Sequence, residues 1–248
     1  PLWMLGCVAS FAVTGGAPTA ALHAAILAQQ LLAHGVQVGE VAIIPDEIVT
    51  VAGKICEYAA RFDLVITTGG IGPTHDDVTL DAVAKAVGRP LVEHPELVAI
   101  AREKIGEMNE ATRKLTLVPE GTELLAGGRF VWPPLKVGKI VVLPGVPALI
   151  RAQFPALVQL LPDDKYFEAE LRCLAREVDL AASAGETDAA FTDVEVGSYP
   201  IIGDKSHHVL LRFTGTDAPR IEEAIAFFLE RAPEGTSVER AAPESSPR

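Results

Sequence analysis

The first third of the chain alternates short apolar runs with stretches of helical periodicity, and this alternation constrains the fold more than any other feature. Strands are predicted over 5–13, 36–44 and 63–68, and helices over 20–33, 47–61 and 79–87. Such alternation places the strands parallel to one another and covers both faces of the sheet with helices. We therefore expect an α/β fold in which a mainly parallel sheet lies between two helical layers.

The rest of the chain contains a second strand–loop–helix unit and then a region of different character. Its elements are predicted at 95–106 (helix), 139–143 (strand), 148–161 (helix), 167–174 and 207–214 (strands) and 219–231 (helix), with 126–138 irregular. The last three elements indicate a small α+β domain. The predicted domains are 1–162 and 163–234, followed by a disordered Pro/Ser/Glu-rich tail over 235–248.

The charge balance excludes some classes of partner. The chain has 248 residues and a net charge of −12, so a nucleic acid is repelled unless a local basic patch binds it. The basic pairs Arg102/Lys104 and Arg113/Lys114 are interpreted as ordinary solvated faces. No apolar run reaches the roughly 18 residues that suggest a membrane span. We expect neither a nucleic-acid partner nor a membrane partner.

Cysteine usage indicates a reducing compartment. Cys7, Cys56 and Cys173 are widely spaced and form no CxxC motif, so buried free thiols are the simplest interpretation. The apolar stretch 1–12 lacks the basic residues of a secretory signal. A cytoplasmic location is the resulting expectation.

The segment 67–79 lies between a predicted buried strand and a predicted helix. Its glycines, Gly69, Gly70 and Gly72, allow the backbone to approach a ligand closely, and a helix N-terminus offers N–H groups to an anion. The hydroxyls of Thr68 and Thr74 can donate to phosphate oxygens or form bonds within the turn. The segment therefore predicts a site for a phosphorylated small molecule, although a tight turn without ligand has the same composition.

Two adjacent carboxylates, Asp76 and Asp77, follow the glycines. They can cap the next helix, or they can hold a divalent cation beside a phosphate. Asp76 is the preferred metal ligand and catalytic residue. Asp77 is the second choice for both roles, as a residue that orients water or as a cap.

Other residues admit both a functional and a structural interpretation. Gly145 and Pro147 shape a second strand–helix loop, which can close the ligand site or serve only as a turn. Asp46 follows a strand and can cap the next helix. His75 can transfer protons near neutral pH or lie in solvent, and His23 is interpreted as a helix-surface residue.

The amino-acid sequences of these two loops are more specific for a protein family than a glycine pattern alone. The segment Thr68-Gly69-Gly70-Ile71-Gly72-Pro73-Thr74-His75-Asp76-Asp77-Val78-Thr79 resembles the molybdopterin-binding-like domain shared by MoaB/Mog and CinA proteins, and is most similar to that of FAD synthases. Leu143-Pro144-Gly145-Val146-Pro147 resembles the second loop of this family. Gly197-Ser198-Tyr199-Pro200, a structural turn by composition, resembles part of the small domain that follows. The resemblance covers about residues 5–232.

The resemblance implies a three-layer Mog-like α/β/α domain followed by a small α+β domain. It implies a site for a nucleotide or pterin phosphate ligand, formed by Thr68, Gly69, Gly70, Gly72, Thr74, Gly145 and Pro147. In CinA proteins the related domain hydrolyses ADP-ribose, and in FAD synthases it hydrolyses FAD. The implied cofactor is a divalent cation (Mg²⁺, Mn²⁺ or Co²⁺) held by Asp76 and Asp77, a monovalent cation being an optional second ion. No covalently bound cofactor is expected. The resemblance also implies that the protein forms a homo-oligomer.

The chain departs from the family pattern near its start. The acidic turn after the first strand and the polar triplet of the first helix are replaced by residues 10–15 and by Ala21-Leu22-His23. Ala148 follows Pro147 where the family often has Glu or Ser. Two hypotheses follow. The chain is a metal-dependent hydrolase of a nucleotide diphosphate, or it is a non-catalytic protein that binds molybdopterin or a nucleotide.

Overall fold

The computed structural model describes residues 4–10, 17–34, 36–126, 132–161, 167–204, 207–233, 236 and 238–245. The chain divides into two compact units, Pro1–Leu32 with Val36–Pro162, and Asp163–Arg248 with Ala33–Gly35. None of the helices in these described ranges is long and apolar enough to cross a lipid bilayer.

The described residues of the first unit form eight strands and six helices. The strands are β1 (Met4–Ser10), β2 (Gln37–Ile44), β3 (Leu64–Thr68), β4 (Leu91–Glu93), β5 (Leu117–Pro119), β6 (Glu123–Leu124), β7 (Leu135–Val137) and β8 (Ile140–Leu143). The helices are α1 (Ala17–Ala33), α2 (Ile48–Arg61), α3 (Thr79–Val87), α4 (Pro95–Lys104), α5 (Glu110–Thr116) and α6 (Pro147–Val158).

The main sheet has the strand order β2-β1-β3-β8-β7-β6. Its first four strands run parallel, whereas β7 and β6 are antiparallel to their neighbours. Thr68 pairs with Leu143 at the ends of β3 and β8, so the glycine loop and the second loop leave the sheet at the same edge. Strand order reverses beside β1, and ligands of open α/β sheets bind at the carboxyl ends of strands near such a point.

Helices cover both faces of this sheet and confirm the three-layer α/β/α prediction. Within β3, Val65 belongs to a core cluster that contains residues of α2 and α3. Leu64 and Ile66 belong to a second cluster with residues of α1 and α6. Alternate residues of a strand point to opposite faces, and burial of both faces explains why β3 is apolar at every position up to Ile66. The remaining strands, β4 and β5, form a separate two-stranded sheet.

The second unit is a four-stranded antiparallel sheet with two helices. Its elements are β9 (Phe167–Cys173), α7 (Glu177–Ala190), β10 (Val194–Pro200), β11 (Val209–Gly215), α8 (Ala218–Arg231) and β12 (Val238–Ser245). The strand order is β10-β11-β9-β12, and one apolar cluster joins the sheet to both helices. This confirms the predicted small α+β domain.

Several sequence-based predictions were wrong in detail. The predicted disordered tail contains β12, which pairs with β9, and the turn predicted at 197–200 is part of β10, paired with β11. Asp46 does not cap α2, because the helix begins after Glu47. Of the strand predicted over 5–13, the described part is β1 (Met4–Ser10), and residues 11–16, which include the divergent opening turn, lie outside the described ranges.

Candidate functional site

The glycine loop is held at both ends by hydrogen bonds. The Gly69 N–H donates to the Leu143 carbonyl at 3.0 Å. Thr79, the first residue of α3, donates from its N–H to the Gly70 carbonyl at 2.9 Å and from its hydroxyl to the Gly69 carbonyl at 2.8 Å. Gly69 and Gly70 have left-handed φ angles of 89° and 64°, a conformation that glycine adopts without the penalty other residues carry.

The two predicted loops are in close contact. A Cβ on Gly145 would lie 2.9 Å from the Cα of Gly69, and a Cβ on Gly70 would lie 2.4 Å from Thr79 Oγ1. Pro147 lies farther along, in the first turn of α6, where the missing N–H has no intrahelical partner to lose. The structure therefore brings Gly69, Gly70 and Gly145 together, and Pro147 sets the start of the helix behind them.

The loop leaves part of its backbone available for a ligand. Among the backbone–backbone hydrogen bonds of the described residues, none uses the N–H of Gly70, Ile71 or Gly72. Successive N–H groups without a backbone acceptor are well suited to an anion. The predicted phosphate cradle is thus compatible with the observed loop.

Asp77 shapes the loop. Its Oδ2 accepts from the Thr74 N–H at 2.9 Å and from the Thr74 hydroxyl at 2.5 Å. A Cβ on Gly72 would lie 2.6 Å from the same oxygen, so the carboxylate packs against the glycine backbone. The N-cap residue of α3 is Val78, whose side chain makes no capping hydrogen bond. Neither Asp76 nor Asp77 is therefore the N-cap residue, although both carboxylates precede the positive end of the helix dipole.

Asp76 is held in its ionised form. The pKa of Asp76 is lowered most by the nearby side chain of Thr74, followed by the backbone N–H of Asp76 itself. The positive charges of His75, when protonated, and of Lys114 lower the pKa of Asp76 further. Because a carboxylate must be deprotonated to bind a metal, this environment keeps Asp76 available as an oxygen ligand near neutral pH.

A cleft of about 840 Å³ opens beside the loop. Small-molecule sites are typically about 300–1,000 Å³. Its lining comes from the glycine loop (70–75 and Asp77), from α3 (Leu80 and Asp81), from β4 and β5 (Leu91 and Leu117) and from α5 with its cap (109–111, 113 and 114). Polar loop groups and leucines in one cleft suit a ligand that has both a phosphate and a ring system.

Helix α5 brings a cation to this cleft that the sequence interpretation missed. Asn109 caps the helix, its side chain accepting from the Thr112 N–H at 2.9 Å. From the fixed helix the ammonium of Lys114 donates to the carbonyl of Thr74 in the glycine loop. The adjacent Arg113 binds Glu93 instead, at 2.8 Å. Lys114 is therefore a residue of the site, and the prediction of an ordinary solvated face is wrong for it.

His23 was also misinterpreted, since it is buried with only 2% of its surface exposed. Its Nδ1 lies 3.1 Å from the hydroxyl of Thr68, on the face of β3 that contacts α1. Its Cε1 lies 3.7 Å from the position of a Cβ on Gly145. Burial lowers the pKa of His23, and a hydrogen bond with the Gly145 backbone opposes this in part. Thr68 thus bonds a neutral histidine beneath the two loops rather than pointing to the cleft, which it does not line.

Asp46 and Thr67 complete the surroundings of the loop. An Asp46 oxygen would lie 3.4 Å from a Cβ on Gly70, which places this carboxylate beside the glycines. Thr67 is fully buried, and its hydroxyl has no hydrogen-bond partner among the described residues. Both residues lie at the edge where β3 leads into the loop.

The described residues contain no group of three or more His, Cys, Asp or Glu side chains that could hold a metal ion. Mg²⁺ does not need one, because it is commonly bound by one or two carboxylates, water and substrate phosphates. The Asp76 carboxylate fits that pattern. The described residues do not form a site that would hold a metal through protein ligands alone, as a structural zinc site does.

The chain matches known families over most of its length. The family described as "Probable molybdopterin binding domain" matches residues 21–163. The family described as "FAD synthase, middle domain" matches residues 165–241. The first match covers more than half of the chain and contains all the loops of the candidate site.

Similar proteins occur in archaea, animals and bacteria. A protein of Archaeoglobus fulgidus is 32% identical over 208 residues, 84% of this chain and 89% of that protein. A probable FAD synthase of Caenorhabditis elegans is 28% identical, over 82% of this chain and 45% of its own length. A CinA-like protein of Citrifermentans bemidjiense is 29% identical, over 84% of this chain and 53% of its own. The chain thus spans about half the length of the latter two.

A solved structure shows the same fold. The protein CinA from Thermoplasma acidophilum, whose function is described as unknown, has a TM-score of 0.57 at 24% identity, over 64% of this chain and 98% of its own. The match over residues 21–163 shows that the chain belongs to the molybdopterin-binding domain family, and residues 165–241 are similar to the middle domain of FAD synthases.

Proposed function

We propose that this chain binds a nucleotide with a diphosphate group, such as FAD or ADP-ribose, and hydrolyses the diphosphate with the help of a divalent cation. The observation that supports this most is the glycine loop, which lines the 840 Å³ cleft and contains the ionised Asp76, although Asp76 does not itself line the cleft. The likeness to FAD-synthase and CinA-like relatives favours nucleotides as ligands.

Each group of the loop has a definite part in this proposal. The N–H groups of residues 70–72 bind phosphate oxygens, and the carboxylate of Asp76 binds the cation. A bound divalent cation supplies Lewis acidity and neutralises charge on the diphosphate. His75, exposed beside Asp76, is placed to accept a proton from water. Asp77 holds Thr74 and keeps the loop in shape.

The test is release of AMP from FAD, ADP-ribose and NAD in the presence of Mg²⁺, Mn²⁺ or Co²⁺. Asp76→Asn should lower the rate more than about 100-fold, since even outer partners of metal ligands are worth about 10- to 100-fold. Asp63→Asn is the matched control, because Asp63 is exposed at the opposite end of β3. Absence of AMP from all three compounds, with folded protein, would refute the hydrolase proposal.

A second candidate function is binding without turnover. It is favoured by the use of Asp77 as a residue that holds the loop. Here the cleft would hold a pterin or nucleotide phosphate ligand. Titration calorimetry that detects tight binding, combined with no product over hours, would support this function over the hydrolase.

A further inference from the structure

Lys114 lines the cleft and, among the described residues, forms no close ion pair, although its charge interacts at longer range with the Asp76 carboxylate. Arg113, next to it, forms an ion pair with Glu93 at 2.8 Å. Within the described ranges Lys114 forms no ion pair within 4.0 Å, and its one hydrogen bond goes to the neutral carbonyl of Thr74. An ammonium has three N–H donors. Two N–H donors of the Lys114 ammonium therefore remain for a ligand.

The surroundings of Lys114 explain why a cation is needed there. Asp77, Asp81 and Glu110 also line the cleft, and Asp76 stands beside it in the loop. On a protein with a net charge of −12, these carboxylates would repel a diphosphate. One fixed ammonium within the cleft offsets this repulsion locally, because charges interact most strongly at short distance.

The position of Lys114 is fixed by two unrelated segments. Asn109 caps α5 at its start, and the hydroxyl of Thr116 bonds the Arg113 carbonyl at 2.8 Å near its end. The Thr74 carbonyl then holds the ammonium against the loop whose N–H groups at 70–72 lack backbone acceptors. A pre-positioned charge loses less conformational freedom when a ligand binds.

We propose that Lys114 binds a diphosphate oxygen of the ligand and thereby makes the cleft selective for anionic nucleotides. This inference rests on the proposed ligand class but does not require hydrolysis. Lysine acts at such sites as a point charge. The glycine loop and Lys114 then contact the diphosphate, and the leucines of the cleft contact the remainder of the ligand.

The experiment measures binding of pyrophosphate, ADP-ribose and adenosine by titration calorimetry in the presence of Mg²⁺. Lys114→Met should weaken pyrophosphate and ADP-ribose binding about 10- to 100-fold, the usual worth of a hydrogen bond to a charged group. Lys114→Arg should retain most of the affinity. Lys85→Met is the matched control, since Lys85 is exposed in the last turn of α3 and does not line the cleft.

Adenosine separates a binding role from a structural one. If Lys114 binds the diphosphate, adenosine affinity stays the same in Lys114→Met, whereas a damaged cleft loses both. Equal pyrophosphate affinity in Lys114→Met and Lys85→Met would overturn the inference, as would a wild-type protein that binds neither pyrophosphate nor ADP-ribose. Binding without AMP release would refute only the hydrolase, because the Lys114 comparison remains fully measurable.

Discussion

Replacing Gly70 with alanine tests whether the glycine loop depends on close packing as well as on backbone freedom. Gly70 has φ 64°, and a Cβ there would lie 2.4 Å from Thr79 Oγ1. Gly88 offers a matched control within the same unit. Its φ is 65°, but a Cβ there would have no heavy atom within 4 Å. The two substitutions therefore share backbone strain and differ in the steric clash.

The expected losses follow from these two terms. A left-handed non-glycine residue costs about 1–2 kcal/mol, and the stiffer unfolded chain returns about 0.4–1 kcal/mol. Gly88→Ala should therefore lower the free energy of unfolding by about 1 kcal/mol. Gly70→Ala adds overpacking, which costs about 1–3 kcal/mol, and displaces the hydroxyl that bonds the Gly69 carbonyl. Its total loss should be about 2–4 kcal/mol.

Urea unfolding followed by tryptophan fluorescence is the assay, because Trp132 belongs to the first unit. Thr79→Ala removes the atom nearest to the added Cβ. On its own it should cost about 1 kcal/mol for the lost hydrogen bond, but in the Gly70→Ala background it should cost less or restore stability. Equal losses for Gly70→Ala and Gly88→Ala, or strict additivity with Thr79→Ala, would refute the packing explanation.

The remaining predictions concern a buried histidine and the thiols. Because the pKa of His23 is lowered in the folded protein, the unfolded chain binds a proton at this residue first as the pH falls. The free energy of unfolding should therefore decrease as the pH drops below about 6.5. His23→Asn should reduce this pH dependence, measured by urea unfolding at several pH values. Thr68→Val should cost about 1–3 kcal/mol in the same assay by removing the partner of that ring. In a Cys7→Ser background, iodoacetamide at pH 8 should label exposed Cys56 but not Cys173, because burial raises the pKa of Cys173 to about 11. Detection of labelled Cys173 in folded protein by mass spectrometry would contradict this prediction.

The α/β fold could be predicted because local patterns and long-range packing agree in the first unit. β3 is apolar and buried on both faces, and α2 buries Val51, Ala52, Ile55 and Tyr58 on one stripe. β12 could not be predicted in this way. Its composition is rich in Glu and Pro, and it becomes a strand through pairing with β9. Such pairing depends on residues about 70 positions away, which no local propensity contains.

Within the site, the sequence anticipated the backbone geometry of the loops, whereas the predicted ligand and metal roles stay predictions. Gly69, Gly70 and Gly145 were identified because close backbone approach requires glycine. His23 was misplaced because a single histidine among alanines and leucines has no pattern that distinguishes a helix surface from a buried contact. Its burial depends on Thr68, which meets it only after β3 packs against α1. Lys114 lies 40 residues from the loop that it contacts.

The two adjacent aspartates illustrate why the sequence of an acidic pair does not show which carboxylate supports the loop and which is available for chemistry. The N–H and hydroxyl of Thr74 both donate to one oxygen of Asp77, and that oxygen packs where a side chain on Gly72 would lie. Removal of Asp77 would therefore disturb the loop before it changed any chemistry. Asp76 keeps a lowered pKa through Thr74, its own backbone and the positive charge of Lys114. Loss of activity in an Asp77 variant would thus not identify a catalytic group, whereas loss in a correctly folded Asp76 variant would.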